Sequence, residues 1–254
     1  MHSIRYISLG LRRYIVGALI YVWSNMLKRI KNYFTKFEIG LWAVSMAVIV
    51  TTFFIWDRVN YLQLCASLIG VTSLIFCAKG NPIGQLLMVV FGCLYGIISY
   101  GFRYYGEMIT YLGMTVPMAI LSLISWLRNP YKGNKAEVKT NVIKFREVIL
   151  MSLLAIVITV VFYFILRAFN TANLIPSTLS VTTSFVAVYL TFRRSPYFAL
   201  AYAFNDIVLI ILWVLATLKG DSYLSVIICF VVFLANDLYG FVSWLKMQKR
   251  QNKQ

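Results

Sequence analysis

The sequence predicts an all-α polytopic membrane protein, and three observations lead to that prediction. Of the 254 residues, 61% are hydrophobic and the mean hydropathy is +0.78, whereas ordinary soluble domains contain ~45 to 50% apolar residues. Apolar runs that reach the ~20 residues needed for a helix to cross a bilayer follow one another along the chain. The charged residues gather in the short segments between those runs.

The chain begins with a basic segment, residues 1–37, whose apolar run 14–27 lies between two pairs of basic residues. This run is shorter than the ~20 residues of a span, so it predicts a helix that lies in the membrane interface. No small-x-small cleavage site follows it, which argues against a secretory signal. A tilted ninth span is the alternative.

Eight spans follow the basic segment. Their predicted bounds are 39–56, 61–78, 82–102, 107–127, 147–168, 174–192, 197–218 and 221–245. If the N-terminus is cytoplasmic, all but four of the 24 Lys and Arg residues lie in cytoplasmic segments. The four exceptions are Arg58, Arg103, Arg167 and Lys219. The positive-inside rule therefore predicts that both termini are cytoplasmic.

A weak internal repeat relates the second, third and fourth spans to the sixth, seventh and eighth. An offset of 114 residues places KGNP (79–82) on RRSP (193–196). Because one span separates the two three-helix units, both units start from the same side of the membrane, so they are parallel repeats around an axis along the membrane normal. The predicted domains are an interfacial segment (1–37), an extra span (38–57), a first unit (58–128), a basic loop with a linker helix (129–172), a second unit (173–245) and a basic tail (246–254).

Two Asn-Asp pairs lie well inside apolar runs, Asn205-Asp206 in the seventh span and Asn236-Asp237 in the eighth. An acid at the centre of a membrane helix costs ~2.5 to 3.5 kcal/mol, so such residues face a cavity, a partner helix or a solute. At 1.5 Å per residue the two asparagines lie at matched depth, about 12 and 13 Å from the cytoplasmic ends of their helices. Asparagines that only join helices are the alternative. Whether Asn205 or Asp206 faces the cavity stays open.

The candidate substrate-binding residues are polar or aromatic side chains in the two units. They are Tyr202, Asn205, Asp206, Trp213, Asn236 and Tyr239 in the second unit, with Gln85 and Tyr95 in the first. Asn and Tyr donate and accept hydrogen bonds, which suits hydroxyls and a carboxamide. Aromatic faces stack on planar rings and attract cations by ~0.5 to 2 kcal/mol, and one acid can balance one positive charge. The set predicts a planar, cationic, hydroxyl-bearing small solute.

Several other classes of function fit the sequence poorly. The only histidine is His2, and no HExxH or phosphate-binding loop occurs, so we expect no enzyme and no catalytic residues. The four cysteines show no CxxC spacing, so we expect no metal site and no cofactor. The basic residues follow the topology, so we expect no nucleic-acid partner. Proton coupling through Asp206 or Asp237 stays open, because acids inside membranes serve as proton relays.

The sequence resembles the PnuC family of bacterial nicotinamide riboside transporters, which are related in fold to the SWEET sugar transporters. The resemblance covers residues 61–245 and depends on KGNP (79–82), PYFALAYAFNDIVLIILWVLATLKGDSYLS (196–225) and NDLYGFVSW (236–244). It implies a SWEET-like fold, a place in the bacterial inner membrane among membrane lipids, and facilitated diffusion of nicotinamide riboside by alternating access. It also implies metabolic trapping by a cytoplasmic nicotinamide riboside kinase.

The resemblance leaves other points open. Members of the same family carry other vitamins such as thiamine, so a thiamine transporter is the alternative. The family often has tryptophans where this chain has Tyr197, Ala201 or Tyr202. The oligomeric state, a homo-oligomer included, is not determined by the sequence.

Overall fold

The computed structural model describes residues 33–101, 105–171, 173–218 and 223–253. In these residues eight helices are long and apolar enough to cross a membrane, which confirms the predicted all-α polytopic fold. The predicted interfacial run 14–27 lies outside the described residues.

The bounds of the spans agree with the predicted bounds to within a few residues, except at the end of the last helix. The single-helix spans are α1 Lys36–Trp56, α2 Tyr61–Ala78, α3 Pro82–Gly101, α6 Phe145–Ala168, α7 Leu174–Phe192, α8 Tyr197–Thr217 and α9 Leu224–Asn252. The fourth span consists of α4 Tyr105–Thr110, a π-helical turn Tyr111–Thr115 and α5 Val116–Arg128.

α1 begins with a pair of reciprocal hydrogen bonds. The Glu38 backbone N–H donates to Thr35 Oγ1 at 3.2 Å, and the Glu38 carboxylate accepts from the Thr35 backbone N–H at 2.6 Å. This is a capping box, which satisfies two backbone donors that the first turn of a helix leaves open. It accounts for the buried position of Glu38, an acid otherwise unexpected at the start of an apolar helix.

The basic loop after α5 contains a short antiparallel hairpin, β1 Pro130–Tyr131 and β2 Asn134–Val138. Lys132 and Gly133 form its two-residue turn, and both have positive φ, as a type I′ turn requires. α9 extends to Asn252 beside this loop because Met247 is buried and Gln251 hydrogen-bonds to the loop. The charged end of α9 is therefore part of the fold.

α6 has the exposure expected of a helix that faces lipid. Of its 24 residues only Ala155 and Leu166 are buried. It contacts α7 through a hydrogen bond between the Thr159 and Thr182 hydroxyls at 2.7 Å. The exposure agrees with the prediction that this helix is a linker in contact with lipid.

Two tryptophans exchange hydrogen bonds between the predicted three-helix units. Trp126 Nε1 donates to the Thr191 carbonyl at 2.9 Å, and Trp244 Nε1 donates to the Cys77 carbonyl at 2.7 Å. The 114-residue offset places Cys77 on Thr191, and four extra residues in the last span bring Trp126 onto Trp244. Each unit therefore supplies the same donor and the same acceptor. The two indole rings contact each other with centroids 5.3 Å apart.

The neighbouring serines repeat this exchange. Ser125 Oγ donates to the Phe192 carbonyl at 2.9 Å, and Ser243 Oγ donates to the Ala78 carbonyl at 2.8 Å. Both pairs of hydrogen bonds support the predicted parallel repeat.

The turns that precede α3 and α8 also share one conformation. Gly80 has φ +66° and Arg194, the residue at the same offset, has φ +57°. The residue after each of them donates its backbone N–H to the carbonyl five positions earlier at 3.0 Å. A residue in the left-handed conformation, followed by a residue whose N–H donates to the carbonyl five positions earlier, is a common C-terminal cap of a helix. Both units therefore join their first two helices by the same turn.

Candidate functional site

A narrow cavity lies inside the bundle, between both predicted units. Its walls come from α2, α3, the fourth span, α7, α8 and α9. The lining residues are Gly70, Leu74, Met88, Phe91, Tyr111, Thr115, Ser184, Val188, Tyr202, Asn205, Asp206, Leu209, Phe230, Phe233 and Asp237. Its volume is about 50 Å³, which is room for a few water molecules, since one needs ~10 to 15 Å³ by this measure.

One face of α8 supplies three of the polar lining residues. Tyr202, Asn205, Asp206 and Leu209 follow each other at steps of three, one and three residues, and all four line the cavity. This spacing covers one helical face about 100° wide. Both members of the first Asn-Asp pair therefore face the cavity, which answers the question that the sequence left open.

Asn205 is held in place by α7. Its Oδ1 accepts hydrogen bonds from Thr183 Oγ1 at 2.8 Å and from Ser184 Oγ at 3.0 Å. The side chain is buried, with 6% of its surface exposed. Since these bonds use the amide oxygen, Nδ2 remains as a fixed donor for a ligand oxygen.

Asp206 on α8 and Asp237 on α9 form a buried carboxyl pair at the cavity wall. The two side chains are 4% and 5% exposed, and both line the cavity. A carboxylate only accepts hydrogen bonds, so an ionised member of the pair needs a donor or a cation as its partner. Asp206 Oδ2 is buried and has no hydrogen-bond partner in the described part of the chain. The pair can therefore receive a cation or a strong donor.

Aromatic side chains form another part of the wall. Tyr111 lies in ring contact with Phe91, at a centroid distance of 6.2 Å, and Phe91 contacts Phe233 at 5.9 Å. Among the described lining residues there is no Lys, Arg or His. The cavity thus combines aromatic surface with carboxyl groups, which favours a planar ring that carries positive charge.

Asn236, the partner of Asp237 in sequence, does not line the cavity. Its Nδ2 donates to Ser45 Oγ on α1 at 2.9 Å and to the Val232 carbonyl at 2.8 Å. Its side chain thus contacts the first span and the preceding turn of its own helix. Asp237 lines the cavity and Asn236 does not, because adjacent residues on a helix point about 100° apart.

The other predicted residues also lie outside the lining. Gln85 Nε2 donates to Cys77 Sγ at 3.2 Å, so this side chain joins α3 to α2. Tyr95 lies behind the cavity wall, 4.5 Å from the Tyr111 ring. Trp213 contacts Tyr223 at 4.9 Å, and Tyr239 is half-buried on α9. Of the predicted residues, the structure brings together Tyr202, Asn205 and Asp206.

The sequence prediction missed the aromatic wall and left Asp237 out of the binding set. Phe91 lies four residues before Tyr95, on the same face of α3, and that spacing could have indicated it. Tyr111 lies in the π-helical turn, where the usual helical spacing does not apply. Nothing in the sequence alone indicates its orientation.

A family model described as nicotinamide mononucleotide transporter matches residues 60–246. The chain belongs to this family of membrane transporters. Family members move a solute across a membrane and are not enzymes. The eight apolar helices are those of a multi-pass membrane protein of this family.

Relatives of this transporter family extend the match to most of the chain. A nicotinamide riboside transporter PnuC from Neisseria mucosa is 29% identical over 225 residues, which cover 87% of this chain and 85% of the relative. A nicotinamide riboside transporter PnuC from Haemophilus influenzae is 22% identical over 193 residues, 76% of this chain and 83% of the relative.

A solved structure gives the same result for the fold. The crystal structure of the vitamin B3 transporter PnuC matches this PnuC-family chain with a TM-score of 0.75 and 26% sequence identity. The match covers 86% of this chain and 94% of the other.

Proposed function

We propose that this PnuC-family chain carries nicotinamide riboside across the bacterial inner membrane by facilitated diffusion, with both termini in the cytoplasm. The observation that carries the proposal is the carboxyl pair Asp206 and Asp237 at the wall of an aromatic cavity. The pyridinium ring of nicotinamide riboside is planar and cationic, so it suits aromatic faces next to a carboxylate. The names of the two relatives point to the same solute.

Asn205 and Tyr202 complete the proposed recognition. Asn205 Nδ2 is a donor held in a fixed orientation by Thr183 and Ser184, and the hydroxyl of Tyr202 both donates and accepts. The solute bears ribose hydroxyls and a carboxamide, which need both kinds of partner. A buried polar group without a partner costs ~1 to 3 kcal/mol, so these side chains discriminate against solutes that lack such groups.

The transport mechanism in this proposal is alternating access between the two three-helix units. The cavity volume of about 50 Å³ is too small for a nucleoside, so the walls must separate to admit one. Rocking of the units around a central site opens it to one side and then to the other. A cytoplasmic kinase that phosphorylates the riboside then keeps net flow inward.

The first test measures uptake of labelled nicotinamide riboside into proteoliposomes. We expect saturable uptake without an imposed ion gradient. We expect Asp206→Asn to lower the affinity for nicotinamide riboside at least about tenfold, because a hydrogen bond to a charged group contributes ~1.5 to 3 kcal/mol. Asp57→Asn is the matched control, because Asp57 accepts its hydrogen bonds from Asn60 in the α1–α2 connection and lies outside the cavity lining. Absence of uptake by the unaltered chain would reject the proposal.

The charge of the lining also predicts a preference between the riboside and its mononucleotide. The mononucleotide adds a phosphate with about two negative charges, and the described lining offers two carboxyl groups and no basic side chain. Like charges in a buried site repel strongly. We therefore expect no measurable uptake of the mononucleotide in the same vesicles, and competition by it at equal concentration would contradict the proposed role of the carboxyl pair.

Two alternatives have specific support. The buried carboxyl pair favours proton-coupled uptake, because acids buried in membranes serve as proton relays. Uptake that occurs only with an imposed proton gradient would select this mechanism over facilitated diffusion. Thiamine is also a planar cation, so its uptake measured in the same vesicles decides between the two vitamins.

A further inference from the structure

The loop that joins the two predicted units crosses between them at the end of the bundle that carries the hairpin. We call residues 138–141 of this loop the strap. Backbone hydrogen bonds hold the strap to both predicted units. The Val138 N–H donates to the Gly80 carbonyl at 2.9 Å, and the Asn141 N–H donates to the Arg194 carbonyl at 3.0 Å. Gly80 and Arg194 are the equivalent left-handed residues of the turns before α3 and α8. The strap therefore fastens one unit to the other.

The side chain of Val138 strengthens this connection. It is fully buried, at 0% exposure. It packs in one apolar cluster with Cys77, Trp126, Leu190, Phe198, Ala199, Trp244 and Met247, which come from both units. Full burial of a valine side chain is favourable relative to its exposure to water. Lifting the strap from the bundle would thus expose an apolar side chain and open the cluster beneath it.

One side chain near the end of α9 holds the strap in position. Gln251 Oε1 accepts hydrogen bonds from the Thr140 N–H at 2.8 Å and from Thr140 Oγ1 at 2.9 Å. Gln251 Nε2 donates to the Val138 carbonyl at 3.0 Å and to Glu137 Oε1 at 2.8 Å. All the hydrogen-bonding capacity of the amide oxygen and nitrogen is used on this one segment.

We propose that the strap is a latch that keeps the two units together at this end, and that Gln251 is the positioning residue that holds it closed. The two backbone donors of the strap are three residues apart, a span of at most about 10 Å. While both bonds remain, this reach limits how far the turns at Gly80 and Arg194 can separate. Opening of the bundle at this end therefore requires release of the strap from one turn. This inference goes beyond the proposed function and does not depend on the solute.

Two native cysteines make the latch testable. Cys77 is buried in the cluster under Val138. Cys229 is buried on α9, about 22 Å along the helix from Trp244 at 1.5 Å per residue. In the full chain with Cys65→Ser and Cys93→Ala, the rate at which a water-soluble maleimide modifies each buried thiol follows the population of open molecules.

We expect Gln251→Ala to raise the modification rate of Cys77 about tenfold, which corresponds to a decrease of about 1.4 kcal/mol in the free energy of opening. The modification rate of Cys229 should stay within about twofold. Gln248→Ala is the matched control, since Gln248 lies three residues earlier on the same helix and takes no part in the hydrogen bonds to the strap. Equal Cys77 rates in the two variants would overturn the proposal. A parallel rise at Cys77 and Cys229 would also overturn it, because that result indicates general loosening. Since no solute is present, failure of the uptake test would leave this result unchanged.

Discussion

At the scale of single residues, the two Asn-Asp pairs differ in which of their side chains line the cavity. On α8 both Asn205 and Asp206 line the cavity, whereas on α9 Asp237 lines it and Asn236 bonds to Ser45. Hydrogen bonds between membrane helices contribute ~0.6 kcal/mol on average and at most ~1.7 kcal/mol. Asn236 therefore has the contacts of a residue that joins helices, although its sequence context is the same as that of Asn205.

This difference predicts the result of Asn236→Leu. We expect the melting temperature to fall by about 2 to 4 °C per kcal/mol lost, with the affinity for nicotinamide riboside unchanged within about twofold. Thermal unfolding and ligand titration of the same purified variant measure both quantities. Ser45→Ala should lower the melting temperature similarly, and the double variant should lose less than the sum, because the two side chains share one bond. Lost binding at an unchanged melting temperature would assign Asn236 to the ligand instead.

At the scale of elements, α2 and α3 approach each other closely at Gly84. Ser73 Oγ on α2 donates to the Gly84 carbonyl at 2.8 Å. A methyl group on Gly84 would lie 2.6 Å from the Cys77 backbone nitrogen and 3.0 Å from the Ser73 carbonyl oxygen. Backbone atoms cannot move aside as a side chain can. The close approach therefore requires glycine at this position and fixes the first unit's helix pair.

We accordingly expect Gly84→Ala to destabilise the protein by about 1 to 3 kcal/mol, the usual cost of overpacking, and to lower its melting temperature by several degrees. Gly101→Ala provides the control, because nothing lies within 4 Å of a methyl group there and alanine is favoured over glycine in a helix by ~1 kcal/mol. Its melting temperature should stay the same or rise. Similar losses in both variants would show that the contact with α2 is not the cause.

At the scale of the whole molecule, the reciprocal hydrogen bonds of Trp126 and Trp244 connect the two predicted units. Each indole donates to a carbonyl of the other unit, and both rings are fully buried. Each of those carbonyls also accepts the backbone N–H of the left-handed residue that follows, Gly80 or Arg194. The tryptophans therefore stabilise the two turns to which the strap is bound.

If the units are true repeats, Trp126→Phe and Trp244→Phe should cost the same free energy of unfolding. We expect ~1 to 3 kcal/mol for each, from one lost hydrogen bond and a smaller buried ring, and a difference below ~0.5 kcal/mol between them. Trp56→Phe, at an indole that is 49% exposed, should be nearly neutral. Because the two rings are in contact, the double variant should depart from additivity. A large loss in only one of the two variants would contradict the pseudo-twofold arrangement.

The hydropathy pattern alone predicted the eight spans that the described part of the chain contains and, within a few residues, most of their bounds. This is because hydropathy, helix length and the basic residues between spans are local properties of the sequence, and the bilayer constrains each span separately. The sequence also indicated the depth of both Asn-Asp pairs and the relation between residues 79–82 and 193–196, as the shared turn at Gly80 and Arg194 supports.

Only the tertiary structure decided which side chains meet. The helical period gives the angle between Asp206 and Asn205, but the direction of either side chain in the bundle depends on how α8 is rotated against its neighbours. The same holds for Tyr111, which a π-helical turn reorients, and for the strap, whose bonds join residues more than 50 positions apart. Packing between distant segments sets these contacts, so the local pattern around each residue does not contain them.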